Sequence, residues 1–318
     1  SFPTRRSSDL AYSHAAEKIR LLRVSPDYEF VGAWAETEAL GVRWAGEGVV
    51  LRTREALLGE IEVVFVESEV ARHAADAQEA LEAGRHVHLE KPPAMGMAEF
   101  DALVALARER KRLLQVGYMW RHNPAFLAVF EAVRRGWLGE VFLVRATVNN
   151  TLGGDRRREW AAYPGGVLFE LGSHMVDAVT RLMGRPQRVE PFLRTHGGED
   201  DLRDNNVAVL EFGRALAVVT SATLQPNASA HRALEVFGTR GTAVVRPIEP
   251  PVLTLDLAAA AGPYARGMQS VPMPGYSRYV GELEELAGCV REGRSLPVSL
   301  EEERLVQETL LRVCGVMR

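Results

Sequence analysis

Hydrophobic positions in the first third of the chain switch between helical and strand periods. Ala15, Ile19 and Leu22 recur at helical spacing and predict a helix that ends before Pro26. Residues 29–34 (EFVGAW) form an apolar run bounded by Pro26, Asp27 and polar residues, which predicts a strand. Residues 49–51 predict a second short strand, and Thr53 can cap the helix after it. Residues 61–66 (IEVVFV) are rich in β-branched side chains and predict a strand. A helix over 71–83 stopped by Gly84, a strand over 87–89, a helix over 97–110 and a strand over 113–117 follow. Strands alternating with helices through short loops specify a parallel sheet.

The pattern changes after Tyr118. A helix over 124–135 carries Pro124 in its first turn, and 141–148 predicts a strand. A polar loop follows, then a glycine-led helix over 166–183. Strand-like runs at 207–212, 215–223, 233–237, 242–245 and 252–257 are joined by tight connections such as Gly213-Arg214, the mark of antiparallel hairpins. Helices near 279–291 and 299–313 close the chain. The expected fold class is α/β: a Rossmann-type, doubly wound parallel sheet over 11–120, its first strand missing or corrupted, followed over 121–318 by an α+β domain with a mainly antiparallel open sheet.

Of the 318 residues, 47% are hydrophobic and 25% charged, the balance of an ordinary globular protein. The formal net charge of −4 lacks the basic excess of a protein that binds nucleic acid. No apolar stretch of about 18 residues exists, so no membrane span is expected. Two cysteines, Cys289 and Cys314, are too few for a disulfide framework, so a cytoplasmic setting is expected. Residues 1–10 (SFPTRRSSDL) match, in one reading frame, the translation of a sequencing-library adapter, and they are expected to be an artefact outside the fold.

In a doubly wound sheet, a glycine loop after the first strand lets the backbone approach a pyrophosphate at a helix N-terminus. A G-x-G-x-x-A loop ending at Ala11 would place its glycines at Arg6 and Ser8, so that fingerprint is absent. Glu36, just past the second predicted strand, is the candidate acid for an adenosine ribose. Glu90-Lys91-Pro92 follows the strand at 87–89, and strand carboxyl ends face the ligand crevice in such sheets. A lysine there can hold a substrate hydroxyl and favour its alkoxide. In Gly165-Gly166-x3-Glu170-x3-His174-x2-Asp177, Glu170 and His174 would share one face of a continuous helix. A histidine beside a carboxylate can serve as general base, whereas a capped core helix is the bland alternative. His86 and His88 are expected to pack rather than ligate, Arg156 to Arg158 to form a solvated loop, and no metal is expected.

At these residues the chain resembles the glucose–fructose oxidoreductase, inositol dehydrogenase and MocA family. The resemblance rests on His14, the GRHVHLEKPP run from Gly84, the QVGYMWRHNPAF run from Gln115, and Trp160 ahead of the GG-x3-E-x3-H-x2-D segment. It implies an N-terminal Rossmann domain binding NAD or NADP, and a C-terminal domain whose open sheet forms a homo-oligomer. It implies that Lys91, Glu170 and His174 surround the nicotinamide as the catalytic set. Ala11, His14, Glu36, Ser68, His73, Glu90, Lys91, Pro92, Arg121 and Trp160 then fall to cofactor binding, and Lys91-Pro92 is expected to be cis. Departures from the family pattern are the missing glycine loop, Glu170 in place of the more usual Asp, and Glu67 and Glu69 around the turn after the fourth strand. The expected activity is hydride transfer between a nicotinamide and a sugar, cyclitol or related polyol. The alternatives are a non-catalytic sensor on the same fold, or an enzyme that uses transient oxidation for elimination or glycoside cleavage.

Overall fold

The computed structural model of the chain describes residues 8–197 and 200–317, with side chains from His14 onward. Residues 1–7 of the adapter-like segment lie outside the described residues, and of Ala11 only its place in a helix is described. The chain divides into two compact units, Ser1–Gly117 with Tyr279–Arg304, and Tyr118–Arg278 with Leu305–Arg318.

The first unit runs α1 (Ser8–Val24), α2 (Glu38–Gly46), α3 (Arg54–Glu60), β1 (Val63–Val66), α4 (Val70–Glu82), β2 (His86–Leu89), α5 (Met97–Arg110) and β3 (Leu114–Val116). Thr37 and Thr53 cap α2 and α3, their hydroxyls accepting from the N–H of Leu40 and Ala56. The strands pair in parallel in the order β1-β2-β3, with Val66 opposite Leu89 and Leu89 opposite Val116. Ala77, Ala80 and Leu81 of α4 and Phe100, Leu103, Val104 and Ala107 of α5 are buried at helical spacing.

The strands expected at 29–34 and 49–51 do not form. A single parallel bridge, Ala33 to Leu51, joins these segments. A cavity of about 1230 Å³ lies on the inner side of residues 30–34, between them and β1, and among the described residues no strand pairs with them there.

The second unit runs α6 (Pro124–Arg134), β4 (Val141–Thr147), α7 (Asp155–Ala161), α8 (Val167–Glu170), α9 (Ser173–Met183), β5 (Arg188–Arg194), β6 (Asn205–Phe212), β7 (Ala215–Ala222), β8 (Ala233–Gly238), β9 (Gly241–Val245), β10 (Leu253–Leu257) and β11 (Gly267–Val271). Then come α10 (Val280–Glu292), which belongs to the first unit, and α11 (Leu300–Val313). The sheet order is β11-β10-β9-β8-β4-β7-β6-β5, and all neighbours are antiparallel except β4 and β7. Alternate residues such as Val144, Ala146, Leu210, Ala217 and Val219 are buried on the face against α8 and α9. Phe142, Phe192 and Leu216 are exposed.

The continuous helix expected over 166–183 is broken. α8 ends at Glu170 and α9 begins at Ser173, so Glu170 and His174 do not share one helical face. Gly172 sits at the break, where a Cβ would lie 2.5 Å from the Leu168 carbonyl oxygen. No helix among the described residues is long and apolar enough to cross a membrane.

Candidate functional site

In the first unit, β2 (HVHL) leads into the Glu90-Lys91-Pro92-Pro93 turn, and the Lys91-Pro92 bond is cis, as expected. Lys91 is buried there. Beneath this turn lies a charge cluster that the sequence reading missed. Lys18 of α1 is only 1% exposed. Its ammonium donates to Glu67 Oε1 at 2.7 Å, Glu90 Oε2 at 2.7 Å and His88 Nε2 at 2.9 Å, with Glu282 Oε1 of α10 at 3.5 Å.

These contacts fix the tautomer of His88. Its Nε2 accepts from lysine, so its Nδ1–H donates to Gln115 Oε1 at 2.8 Å. The Gln115 amide nitrogen then donates to the Glu282 carbonyl and to Glu285. His88 is therefore a polar relay and not the packing residue expected. Gly117 makes room for it, since a Cβ there would lie 3.1 Å from His88 Nε2 and 3.3 Å from Glu90 Oε2.

The protonation states follow from burial and neighbours. Burial works against the Lys18 charge, but Glu67, Glu90 and Glu282 outweigh it and hold its pKa well above the ordinary lysine value. Burial works against ionised Glu90 too, and Lys18, His14 and Lys91 overcome it, holding its carboxyl well below the usual range. Glu67 goes the other way. Burial, reinforced by Glu90 and Glu282 and opposed by Lys18, pushes its carboxyl up to about 8. Its Oε2 is buried with no hydrogen-bond partner among the described residues, the environment of a neutral acid. The donor atoms of Glu67, His88 and Glu90 lie within 4.8 Å of one another, a set that could hold a metal ion. The cation at the centre of that set is Lys18.

Around the turn, His14 Nδ1 lies 3.9 Å from Glu90 Oε1, and its ring is 5.8 Å from that of Tyr279. His73 ties two loops together, with Nδ1 2.8 Å from the Pro92 carbonyl and Nε2 2.9 Å from the Ser68 carbonyl. Glu36 lies 3.2 Å from Arg72 Nε, and burial raises its pKa against the pull of that guanidinium.

In the second unit, His174 is buried against aromatic rings, with centroids 4.7 Å from Trp120 and 5.9 Å from Tyr118. Asp177, which the sequence placed one turn beyond His174, is engaged by Arg121. Arg121 Nε and Nη2 donate to Asp177 Oδ1 at 3.0 and 2.6 Å, and the guanidinium lies 4.8 Å from the Tyr118 ring centroid. Glu170 is half-buried and Trp160 is buried.

Gly165 and Gly166 both adopt positive φ, and a Cβ at Gly166 would lie 2.8 Å from the Arg203 carbonyl. The solvated loop expected at Arg156 to Arg158 is instead a helix. Arg157 is buried and donates to Asp200 at 2.8 Å and to Asp204 at 2.9 Å, and these contacts hold its pKa above the ordinary value.

A dinucleotide finds part of what it needs here. Glu36 with Arg72 beside it suits the adenosine ribose end, and buried Lys91 at the carboxyl end of β2 suits the reactive end. Among the described residues no glycine turn leads into α1, the first glycine of the given sequence being Gly32.

Two family models match the chain. An oxidoreductase family with an NAD-binding Rossmann fold matches residues 14–118, and the GFO/IDH/MocA C-terminal domain matches residues 126–244. The chain is 30% identical over 258 residues to the uncharacterized oxidoreductase ORF334 of Rhizobium meliloti, covering 76% of this chain and 73% of that protein. It is 32% identical over 138 residues to dTDP-3,4-didehydro-2,6-dideoxy-α-D-glucose 3-reductase of Streptomyces violaceoruber, covering 43% of this chain and 40% of that enzyme. The chain thus spans less than half the length of that relative. Levoglucosan dehydrogenase, solved with NADH and levoglucosan, has the same fold, with a TM-score of 0.79 over 97% of this chain and 95% of that one at 19% identity.

Proposed function

The chain belongs to the GFO/IDH/MocA family of NAD-binding Rossmann oxidoreductases, and from that premise we propose that it moves a hydride between the nicotinamide of NAD or NADP and a carbon of a sugar, cyclitol or related polyol. The observation that carries this reading is the buried Lys91 just past the carboxyl end of β2, next to Glu90, which bonds the Lys18 cluster. The sugar substrates named for the Streptomyces reductase and for levoglucosan dehydrogenase support the substrate class.

The nicotinamide supplies the hydride acceptor or donor, and every other part falls to side chains of this chain. Lys91 donates to the substrate oxygen and favours its alkoxide. His174, screened from water by Trp120 and Tyr118, takes or returns the hydroxyl proton, with Glu170 orienting the pair. Arg121 holds Asp177 through Oδ1. Arg121 therefore acts through Asp177 and Tyr118 as a positioning residue. Ala11, His14, Glu36, Ser68, His73, Glu90, Pro92 and Trp160 are assigned to the cofactor pocket. A cytoplasmic setting suits the two buried free cysteines. The open face of the eight-stranded sheet is assigned to pairing with a second copy of the chain.

Replacing His174 tests the assignment. His174→Ala is expected to lower turnover about a hundredfold or more while cofactor binding persists. Unchanged turnover removes His174 from the chemistry.

A further inference from the structure

Arg232 carries a charge that the fold does not balance. It is the residue before β8, and β8 pairs antiparallel with β4 so that Ala233 lies opposite Thr147. Its half-buried guanidinium therefore sits where β4 ends, and its Nε donates to the Asn149 carbonyl at 3.1 Å. Its Nη groups have no hydrogen-bond partner among the described residues. Burial lowers its pKa below the ordinary arginine value, Glu249 opposes that, and Arg278 adds to it. Glu249 does not neutralise Arg232, because Nε and Nη2 of Arg278 take its two carboxylate oxygens at 2.6 and 2.5 Å. The rim is basic as well. Arg246 is exposed, and its Nη2 donates to Nδ1 of His231, the neighbour of Arg232 in sequence.

This end of the eight-stranded sheet is the end that holds His174. β7 runs parallel to β4 and finishes beside it, the Ala222 N–H donating to Asn149 Oδ1 at 2.8 Å. α8, which leads to Glu170 and then to α9, packs on β7, with the Ser221 hydroxyl 3.5 Å from the Val167 carbonyl. From the other side, Asn123 Nδ2 donates to the Ile248 carbonyl at 3.0 Å, and the Tyr276 hydroxyl donates to the Met119 carbonyl at 2.9 Å. Glu249 and Arg278, the charged groups that act on Arg232, are thus tied to residues 119–123, the segment that sets Trp120 against the His174 ring.

We propose that Arg232 binds an acidic group of the substrate, so that the sugar or cyclitol presented to His174 carries a carboxylate or a phosphate. The place of His174 in this statement rests on the oxidoreductase reading; the anion site itself does not. Two oxygens of either group accept from Nη1 and Nη2 as a fork, while Nε stays on Asn149 and fixes the plane of the guanidinium. The ligand supplies the counter-charge that Glu249 has given to Arg278. A neutral sugar leaves the fork unfilled, so the site selects by charge as well as by shape.

Binding of matched probes tests it. D-Glucose, D-glucuronate and D-glucose 6-phosphate are titrated calorimetrically into the intact protein with NAD or NADP present, and into Arg232→Gln and Arg232→Lys. At least one acidic probe is expected to bind the parent about tenfold or more tightly than D-glucose. Arg232→Gln is expected to erase that preference while leaving the affinity for D-glucose as it was. Arg232→Lys, which keeps the charge and removes the planar fork, is expected to weaken the acidic probe and not D-glucose. A preference for glucuronate alone identifies a carboxylate, and one for the phosphate ester alone identifies a phosphate. No acidic preference in the parent, or one that is unchanged in both variants, overturns the proposal. Reduced nicotinamide is recorded in the same samples. An acidic preference set by Arg232 without hydride transfer leaves the anion site standing and counts against the oxidoreductase reading alone. Hydride transfer from D-glucose with no acidic preference does the reverse.

Discussion

Lys18 shows how one residue can organise a buried site. A lysine in an apolar interior is tolerated only when opposite charge surrounds it, and Glu67, Glu90 and Glu282 provide more negative charge than it can balance. Glu67 relieves the excess by holding a proton. Its folded-state pKa of about 8 stands above the ordinary 4.5, so between these values the folded chain keeps a proton that the unfolded chain has released. Stability is therefore expected to fall as pH rises through that window, by about 1.4 kcal/mol for each unit between the two values at most. Glu67→Gln should flatten the slope, as read from urea unfolding at several pH values; an unchanged slope means that Glu67 is ionised in the fold. The lysine was legible in principle, because it interrupts the buried stripe Ala15, Ile19 and Leu22. Its partners were not, since only the fold brings Glu67, Glu90 and Glu282 to one point. The same holds for Asp177, whose partner Arg121 lies 56 positions away in sequence.

Elements with one buried face were read well from the pattern, and those without one were not. α5 and the strands β6 and β7 came through, because burial imposes their period on the sequence. β5 and β11 escaped notice at the two ends of the sheet, where one side of each strand is unpaired and residues such as Pro191 are admitted. The break between α8 and α9 was hidden by a periodicity that continues across it. Its glycines state the constraint more directly. Gly166→Ala combines positive φ with a Cβ 2.8 Å from the Arg203 carbonyl, so it is expected to cost about 1–3 kcal/mol in thermal or urea unfolding. A loss below a few tenths would show that the α8 entry relaxes freely.

For the whole molecule, the α/β half followed by an antiparallel sheet was readable from the order of elements alone. What could not be read was that residues 29–34 and 49–51 meet in a single parallel bridge and form no strands, because strand formation depends on pairing and not on local sequence. On the outer face of the larger sheet, Phe142 and Phe237 lie side by side, their ring centroids 6.5 Å apart, and Phe192 and Leu216 are exposed. If that face joins two copies, Leu216→Asp should lower the mass seen by sedimentation while leaving the fold intact; an unchanged mass sends the interface elsewhere. The most direct test of the oxidoreductase reading incubates the protein with NAD or NADP and a panel of sugars and cyclitols. The account predicts that at least one of them yields reduced nicotinamide, and that His174→Ala removes most of that yield while the cofactor still binds. Cofactor bound to the intact chain with no hydride accepted from any of them would contradict it.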